Sequence, residues 1–527
     1  MSTKPLGAQL SHMLKNRGVE VIFGIPGVHN QEMYRGIEEA GLTHVLARNE
    51  QGAGFMADGY ARATGKPGVA YVITGPGLCN IMNPVGQAYS DSVPLLVIAS
   101  CLDETAATRG QLHQMLDQEG AGATVAEWSE TARTPDAAYH LIDRALLEFQ
   151  TSRPRPKLMN VPIALLQGDA SSAPDRSVQV AFDAPNSDQI ARIAQMLSKA
   201  RRPVVILGGG ALRAGARAAQ VATNAGAAVF MTNAGRGLYT DDAPLSFGAC
   251  LGRTGSLDIF AQADLVLALG SELSECDLWR GPLGHDCPLI RVDLDPQVLA
   301  DRHTVTNPVL ADCTVFCEAL LAAMEPSTSD WDAATITATR AQWRAETHAD
   351  RPGIVPLVDA LRAVLPSETM IFSDMTQFAY VANETFPMDR PGHWHHPSGF
   401  GTLGYALPAA IGGKVGAGDK PVISINGDSG FQYNIQELAT AVELGLSLPI
   451  IVWDNGKLKE IEDSMVRAQI APNAVIARNP DFCKLAEAYG ARASAPRSIA
   501  DFKQAVTDAL SADGPTLIHV TPQTGTR

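Results

Sequence analysis

The chain lacks any apolar run of membrane-spanning length, and its eight cysteines include no Cys-x-x-Cys pair. These absences argue against a membrane span and give no sign of a disulfide framework or a zinc ribbon. Basic residues are few, since 41 Lys and Arg face 56 Asp and Glu and leave a formal net charge of −15. That balance argues against binding to nucleic acids or anionic membranes. The N-terminus shows no signal-peptide apolar core, so we expect a cytoplasmic protein.

What the chain does have is the composition of a globular protein, with 46% apolar and 18% charged residues over a length of 527. Strand-like runs alternate with helix-like runs in three blocks, which predicts parallel sheets covered by helices on both faces. Polar stretches at residues 167–186 and 325–332 separate the blocks. We therefore predict an α/β protein of three doubly wound domains, at residues 1–170, 187–325 and 350–527.

Two oxygen-bearing side chains follow neighbouring strand-like runs near the C-terminus. Asp428 comes after residues 422–425 and Asn455 after residues 448–453, with a helix-like pattern at residues 435–446 between them. A βαβ unit places both side chains at the carboxyl edge of a sheet, where Mg²⁺ can share them with phosphate oxygens. Taken alone, the pattern is equally that of an ordinary strand–turn–helix with a capping Asp.

A carboxylate near the N-terminus occupies a comparable position. Glu50 follows a strand-like run at residues 44–47 and opens a helix of small residues. It is either a first-turn residue that interacts with the helix dipole or a catalytic acid. Glycine turns at residues 24–27 and 74–77 also follow strand-like runs, and ligands of open α/β sheets gather at the carboxyl ends of strands. This setting favours the catalytic alternative.

Several motifs occur in order along the chain: GIPG, NEQGAGFMADGYARATGKPGV, ITGPG, GFGTLGYALPAAIGG and GDS…DN. This set resembles the thiamine diphosphate enzymes of the acetolactate synthase and 2-oxo acid decarboxylase family. The resemblance implies a pyrimidine-binding, a central and a diphosphate-binding domain. Within the family, GIPGVHNQEMYRG, LHQMLDQ and SDMTQ are similar to the 5-guanidino-2-oxopentanoate (2-ketoarginine) decarboxylases.

The resemblance also implies roles for individual residues. Glu50 would hydrogen-bond the aminopyrimidine ring of thiamine diphosphate, Leu403 would keep the cofactor bent, and the Gly401 carbonyl would accept from its amino group. The implied Mg²⁺ ligands are Asp428, the Asn455 side chain and the Lys457 carbonyl. The other implied cofactor-binding residues are Thr74, Thr376, Gln377, Gly427, Asp428, Ser429, Gly430, Asn455 and Ile461.

The substrate side is implied in the same way but with departures from the family pattern. The residues placed near the reacting carbon are Val28, His29, Asn30, His113, Gln114, Glu460 and Ile461, and of these we take His29, Gln114 and Glu460 as catalytic candidates with Glu50. His113 replaces a Phe of the acetolactate synthases, and Ser464 stands where they carry a Trp. Glu460 also forms an acidic cluster with Glu462 and Asp463. That cluster is either a solvated helix face or the receptor of a cationic substrate tail.

Two further patterns have plainer explanations. The glycines at 208–210 fit the dinucleotide fingerprint only loosely, and GSELSE replaces the Arg-Phe-Asp-Asp-Arg segment of FAD-containing acetolactate synthases. We therefore do not expect FAD. His393 and His395 could share a metal ion, but two ligands make a poor site, and loop packing is the simpler interpretation.

Three activities stay open: a decarboxylase that releases CO₂ and an aldehyde from a 2-oxo acid, a carboligase, and a non-catalytic cofactor-binding paralogue. The presence of Glu50, Asp428 and Asn455 counts against the third. The missing Trp at position 464 and the missing flavin segment count against the second. The resemblance further implies a homodimer or homotetramer with its active site between subunits.

Overall fold

The computed structural model describes residues 3–105, 108–176, 180–303 and 305–526. Three six-stranded parallel sheets follow one another along these residues, each flanked by helices. The predicted fold class of three parallel-sheet α/β domains is confirmed. Each sheet lies within one of the predicted ranges, and the limits of those ranges stay a prediction.

The N-terminal sheet has the strand order β3-β2-β4-β5-β7-β6, and β1 pairs with β8 in a separate antiparallel ribbon. Its strands are β1 Lys4–Pro5, β2 Val21–Gly24, β3 Thr43–Leu46, β4 Gly68–Val72, β5 Leu95–Cys101, β6 Trp128–Thr131, β7 Lys157–Pro162 and β8 Asp169–Ala170. The helices are α1 Leu6–Asn16, α2 Gln31–Ala40, α3 Glu50–Thr64, α4 Pro76–Asp91, α5 Gln118–Ala123, α6 Pro135–Thr151 and α7 Ile163–Gln167.

The central sheet has the order β11-β10-β9-β12-β13-β14. Its strands are β9 Pro203–Leu207, β10 Ala228–Met231, β11 Ser246–Gly248, β12 Leu265–Leu269, β13 Leu289–Asp293 and β14 Asn307–Leu310. The helices are α8 Ser187–Lys199, α9 Ala216–Asn224, α10 Ser256–Gln262, α11 Glu275–Leu278, α12 Pro296–Leu299 and α13 Cys313–Ala323. The glycines that follow β9 pack closely against the backbone of Gly270, which follows β12. The Gly210 N–H donates to the Gly270 carbonyl at 2.9 Å, and a Cβ on Gly208 would lie 2.2 Å from that oxygen.

The C-terminal sheet has the order β16-β15-β17-β18-β20-β19. Its strands are β15 Met370–Ser373, β16 Trp394–His395, β17 Val422–Gly427, β18 Pro449–Trp453, β19 Arg492–Ser494 and β20 Thr516–Val520. The helices are α14 Ala333–Asp350, α15 Ile354–Val364, α16 Gln377–Thr385, α17 Ala406–Ala417, α18 Asp428–Tyr433, α19 Leu438–Glu443, α20 Lys459–Arg467, α21 Phe482–Ala488 and α22 Ile499–Leu510. Short 3₁₀ turns lie at Gly209–Ala211, Ile435–Glu437 and Thr524–Thr526.

The segment at residues 435–446 differs from its prediction as one helix. It contains a 3₁₀ turn and then α19, which ends at Glu443. Asn434 separates this segment from α18, because its backbone has φ −134° and its side-chain amide donates to the Gly404 carbonyl at 2.7 Å. The helix ends before residue 446 because Gly445 has φ +60°.

Helices α3 and α17 join the N-terminal and C-terminal domains through backbone contact. A Cβ on Gly59 would lie 1.9 Å from the Ala409 carbonyl oxygen, and one on Gly412 would lie 1.8 Å from the Met56 carbonyl oxygen. Only glycine permits so close an approach, since it has no Cβ. The interface therefore fixes α3, and with it Glu50, relative to the C-terminal sheet.

Within the described ranges, no helix combines the length and the apolar character needed to cross a bilayer.

Candidate active site at two sheet edges

In the C-terminal sheet, several polar loops lie next to each other at the point where the strand order reverses. Strand β17 lies between β15 and β18, and the chain passes to the other side of β15 after β16. The residues after β15, β17 and β18 therefore share one edge of the sheet. Ligands of doubly wound sheets bind at such a position.

Asp428 is held at this edge by neutral donors. Its carboxylate accepts from the Gly456 N–H at 2.9 Å and from the Asn479 amide at 2.7 Å. The same amide donates to Asp454 at 2.8 Å. Burial raises the pKa of Asp428, and the nearby Asp454 adds to that effect. A cation bound at this carboxylate would favour its ionised form and so offset both effects on its pKa.

Asn455 lies on the next loop and connects the edge to Gln377. Its side-chain oxygen accepts from the Lys457 N–H at 3.2 Å, and its amide donates to Gln377 at 3.3 Å. Mg²⁺ binds few protein groups, and hard oxygens such as those of Asp428 and Asn455 suit it. The residues present thus fit a Mg²⁺ ion that shares its shell with a diphosphate.

The paired-histidine alternative gains no support from the structure. The described residues contain no group of three or more His, Cys, Asp or Glu side chains arranged for a metal ion. His393 contacts the Pro391 carbonyl at 2.9 Å, and His395 is buried against Phe372 with ring centroids 4.6 Å apart. His393 thus packs within its loop, whereas His395 lies on β16 and faces Phe372 of the neighbouring strand β15.

The loop that carries Leu403 is fixed by Asp374, which the sequence analysis missed. Leu403 lies between Gly401 and Gly404, both at positive φ, and the Gly404 N–H donates to Asp374 at 3.0 Å. Burial raises the pKa of Asp374 to about 6. A Cβ on Gly430 would lie 3.1 Å from the same carboxylate. The signal was available, because Asp374 opens the polar segment after a strand-like run.

The turn at the end of β17 packs closely against the loop after β15. A Cβ on Gly427 would lie 3.1 Å from Cβ of Thr376, whose residue is buried at the start of α16. The Ser429 N–H donates to Asp428 at 2.9 Å. The predicted phosphate-binding residues Gly427, Ser429 and Gly430 therefore lie in one turn, and Thr376, a predicted cofactor-binding residue, packs against it.

Glu50 lies at the corresponding edge of the N-terminal sheet, as the first residue of α3. Asn49 caps the helix by accepting from the Gln51 N–H at 2.8 Å. The Glu50 side chain is buried and accepts from the Asn80 amide at 2.9 Å. Asn80, on α4, was not anticipated from the sequence.

The turn before Glu50 is held by a carboxylate from the C-terminal domain. Glu437 is fully buried and accepts from the Arg48 and Asn49 N–H groups, each at 3.0 Å. The Thr440 hydroxyl also donates to it at 2.9 Å. Burial raises the pKa of Glu437 to about 7. The sequence did not single out this residue, because Gln436 and Glu443 are equally polar positions of the same helical pattern.

Two histidines lie next to each other near Thr74. The rings of His29 and His113 are 5.0 Å apart in an edge-to-face arrangement, and neither Nδ1 has a partner among the described residues. Burial lowers the pKa of His29, and His113 adds to that effect. Thr74 itself is buried and its N–H donates to the Ser100 hydroxyl at 3.0 Å.

Other predicted substrate-side residues are engaged in local contacts. The Gln114 amide donates to the Thr108 carbonyl at 2.8 Å. Asn30 accepts from the Gly27 N–H at 2.7 Å and so shapes the GIPG turn. Val28 is exposed. Gln118, which was not anticipated, accepts from the Gly75 N–H at 3.1 Å and thereby fixes the turn after Thr74.

The acidic cluster on α20 is already paired within the chain. Glu460 accepts from Arg351 at 2.9 and 3.1 Å and from the Gln377 amide at 2.9 Å. Although burial opposes ionisation, these hydrogen bonds lower the pKa of Glu460. Glu462 pairs with Lys457 and Lys459, and Asp463 with Lys459, while Ile461 is half exposed. A cationic substrate tail at Glu460 would therefore have to displace Arg351.

The described residues thus form two candidate half-sites on different domains. The N-terminal edge holds Glu50, Thr74, His29, His113 and Gln114. The C-terminal edge holds Thr376, Gln377, Gly401, Leu403, Gly427, Asp428, Ser429, Gly430, Asn455, Lys457, Glu460 and Ile461.

Comparison with known proteins matches all three blocks. Residues 5–121 match the thiamine pyrophosphate enzyme N-terminal TPP binding domain, residues 190–320 the central domain, and residues 374–520 the C-terminal TPP binding domain. A Pseudomonas aeruginosa protein named probable 2-ketoarginine decarboxylase is 42% identical over 98% of this chain and 94% of its own length.

Acetolactate synthases are similar at lower identity. The isozyme 1 large subunit of Escherichia coli is 28% identical over 97% of this chain and 92% of its own length. The large subunit of Haemophilus influenzae is 30% identical over 90% of this chain and 87% of its own length. From the fold, the motifs and these relatives, we conclude that the chain belongs to the thiamine pyrophosphate enzyme family.

Proposed function

We propose that the protein is a Mg²⁺- and thiamine diphosphate-dependent decarboxylase that converts a 2-oxo acid with a cationic tail, such as 2-ketoarginine, to an aldehyde and CO₂. The observation that carries the proposal is the pair of half-sites, with a buried Glu50 at one sheet edge and the Asp428 and Asn455 oxygens at the other. The Pseudomonas relative supports decarboxylation and the choice of substrate.

Bound thiamine diphosphate supplies the nucleophilic carbon and the electron sink that loss of CO₂ requires. Asp428, the Asn455 side chain and the Lys457 carbonyl would hold its Mg²⁺, and Gly427, Ser429 and Gly430 would donate to its phosphates. Leu403 and the Gly401 carbonyl would contact the rings, and Glu50 would hold a proton at the pyrimidine nitrogen.

The His29–His113 pair favours aldehyde release over carboligation. An aldehyde forms only when a proton reaches the carbon that has lost CO₂. Neighbouring imidazoles can hold and transfer a proton near neutral pH, and burial keeps His29 in its neutral form there. Neither ring has a partner at Nδ1 among the described residues, so no protein group there competes for this nitrogen.

Carboligation is the second candidate, because acetolactate synthases are among the relatives. A carboligase would pass the unit that is left after loss of CO₂, two carbons long when it comes from pyruvate, to a second carbonyl compound. Ser464, exposed on α20, offers no large contact surface for such an acceptor.

We also propose a cytoplasmic homodimer or homotetramer in which Glu50 of one protomer serves the cofactor held by its partner. The two half-sites lie on different domains, and symmetric assembly can bring the halves of two chains together. The domain limits 1–170, 187–325 and 350–527 belong to this proposal. The proposed cofactors are thiamine diphosphate and Mg²⁺, without FAD.

The test is to incubate the protein with Mg²⁺, thiamine diphosphate and a panel of 2-oxo acids: 2-ketoarginine, pyruvate, and branched and aromatic acids. Aldehyde and CO₂ from 2-ketoarginine are expected. Acyloin products would support carboligation, and the absence of turnover of every acid would contradict both activities.

A further inference from the structure

A cavity of about 500 Å³ lies between the central and C-terminal domains. This volume is within the usual range for small-molecule sites. Asp277 and Trp279 line it from the central domain, and Glu460 and Met375 from the C-terminal domain. Met375 also borders the predicted cofactor site, because a Cβ on Gly401 would lie 3.2 Å from its methyl group. The cavity is therefore adjacent to the place where the reacting carbon would lie.

Three carboxylates line this cavity, and two of them already have cationic partners. Glu384 pairs with Arg253 at 2.6 Å and Glu460 with Arg351 at 2.9 Å. Asp277 accepts from the Ser274 hydroxyl at 3.0 Å, and no cationic partner for it occurs in the described part of the chain. Its surroundings raise the pKa of Asp277 to about 6, mainly through burial. A cation in the cavity would offset that destabilisation of the ionised form.

Trp279 gives the same wall an aromatic surface. Its side chain is 71% exposed, although large aromatic residues are usually well buried. The backbone has φ +51°, a left-handed conformation that is strained for a bulky residue. A Cβ on Gly252 would lie 2.8 Å from the indole ring, so glycine leaves the space that Trp279 occupies. A carboxylate beside an aromatic face is suited to a planar cation.

We propose that this cavity receives the cationic end of the substrate, with Asp277 pairing a guanidinium or ammonium group and Trp279 stacking against it. The inference rests on the proposed function and deepens it, since it assigns substrate specificity to the central domain rather than to Glu460. Arg467, on α20, also lines the cavity and is exposed.

The test compares 5-guanidino-2-oxopentanoate with the neutral 2-oxohexanoate in the holoenzyme and its Asp277→Asn variant. Asn keeps the acceptor for Ser274 and removes only the charge. The expected result is a fall of about tenfold or more in kcat/KM for the cationic acid, mainly through KM, with a change of less than about twofold for the neutral acid. Trp279→Ala should act in the same direction. Glu275→Gln, which removes an exposed charge from the same short helix, is the matched control. It should leave kcat/KM unchanged for both the cationic and the neutral acid.

Calorimetric binding of 5-guanidinopentanoate, which has no 2-oxo group, gives a readout that does not depend on turnover. Equal effects of Asp277→Asn on both acids would overturn the inference. If the wild type decarboxylates neutral acids but neither binds nor converts the cationic ones, the cavity assignment is wrong and the decarboxylase activity stands. If no 2-oxo acid is converted but 5-guanidinopentanoate binds in an Asp277-dependent way, the proposed function is wrong and the cation site stands.

Discussion

At the residue scale, the buried and partly buried carboxylates of this chain differ in the groups that donate to them. Glu50 accepts from a side-chain amide, Asp374 and Glu437 accept from backbone N–H groups, and Asp277 accepts from a hydroxyl. The partners determine what each carboxylate can do. A carboxylate bound to backbone groups fixes a loop, whereas one with free acceptor positions can meet a ligand.

Glu50→Gln is expected to lower kcat by at least about 100-fold, because Gln cannot hold the proton that the proposed role requires. The fold should persist, since the Gln side-chain oxygen can still accept from Asn80. Steady-state kinetics measures the loss, and circular dichroism checks the fold. The exposed Glu38→Gln on α2 serves as the control, and near-wild-type activity of the Glu50 variant would contradict the role.

Glu437 is expected to make stability depend on pH. Burial raises its pKa from 4.5 to about 7 in the folded state, so the folded protein holds a proton that the unfolded chain has lost between these values. Its contribution is therefore present below about pH 4.5 and is lost as the pH rises through about 7. Relative to Glu437→Gln, the wild type should lose on the order of 3 kcal/mol between pH 4.5 and 8.

Urea unfolding midpoints of both proteins across this pH range measure the effect. Parallel pH profiles would contradict this expectation, because they would show that Glu437 has the same pKa in the folded and unfolded states. A loss of activity in Glu437→Gln with an unchanged fold would further indicate that the carboxylate positions the Arg48–Glu50 turn.

At the scale of elements, the strands were the most predictable feature and their connections the least. Apolar runs before Asp428 and Asn455 predicted β17 and β18 because strands buried on both faces are continuously apolar. The helix predicted at residues 435–446 begins with a 3₁₀ turn and ends at Glu443, because Gly445 has φ +60°. The roles of Asp374, Glu437 and Asn80 depend on contacts with residues distant in the sequence, although the position of Asp374 after a strand-like run was a local signal.

Gly59→Ala is expected to destabilise the fold by about 1–3 kcal/mol, because its methyl group would overlap the Ala409 carbonyl in the contact between α3 and α17. Activity should fall as well, since α3 carries Glu50. Gly281→Ala is the matched control, because a Cβ there would meet no atom within 4 Å and its φ is not positive. Thermal melts of the two variants measure the difference, and equal melting temperatures would contradict the close contact.

At the scale of the whole molecule, one chain supplies both halves of the proposed site but carries them on different sheets. Motif order was enough to predict the family and the fold class. The pairing of half-sites was not predictable from the residues alone, because it depends on how protomers associate.

Coexpression of Glu50→Gln and Asp428→Asn chains tests that association. If Glu50 serves the partner's cofactor, a mixed dimer has one intact site and one doubly altered site. Random assembly should then restore about a quarter of wild-type activity, whereas each variant alone stays inactive. No recovery in purified mixed dimers would show that both residues serve the same site within one chain.

Trp279 has a consequence for how cavity binding can be followed. The other tryptophans are buried or partly buried, with Trp128, Trp343, Trp394 and Trp453 all below 9% exposure. A solvated indole emits at longer wavelength and is open to collisional quenching by iodide. Occupation of the cavity should therefore shift the fluorescence of the unlabelled protein to the blue and protect it from the quencher, which gives a direct optical titration of the ligand.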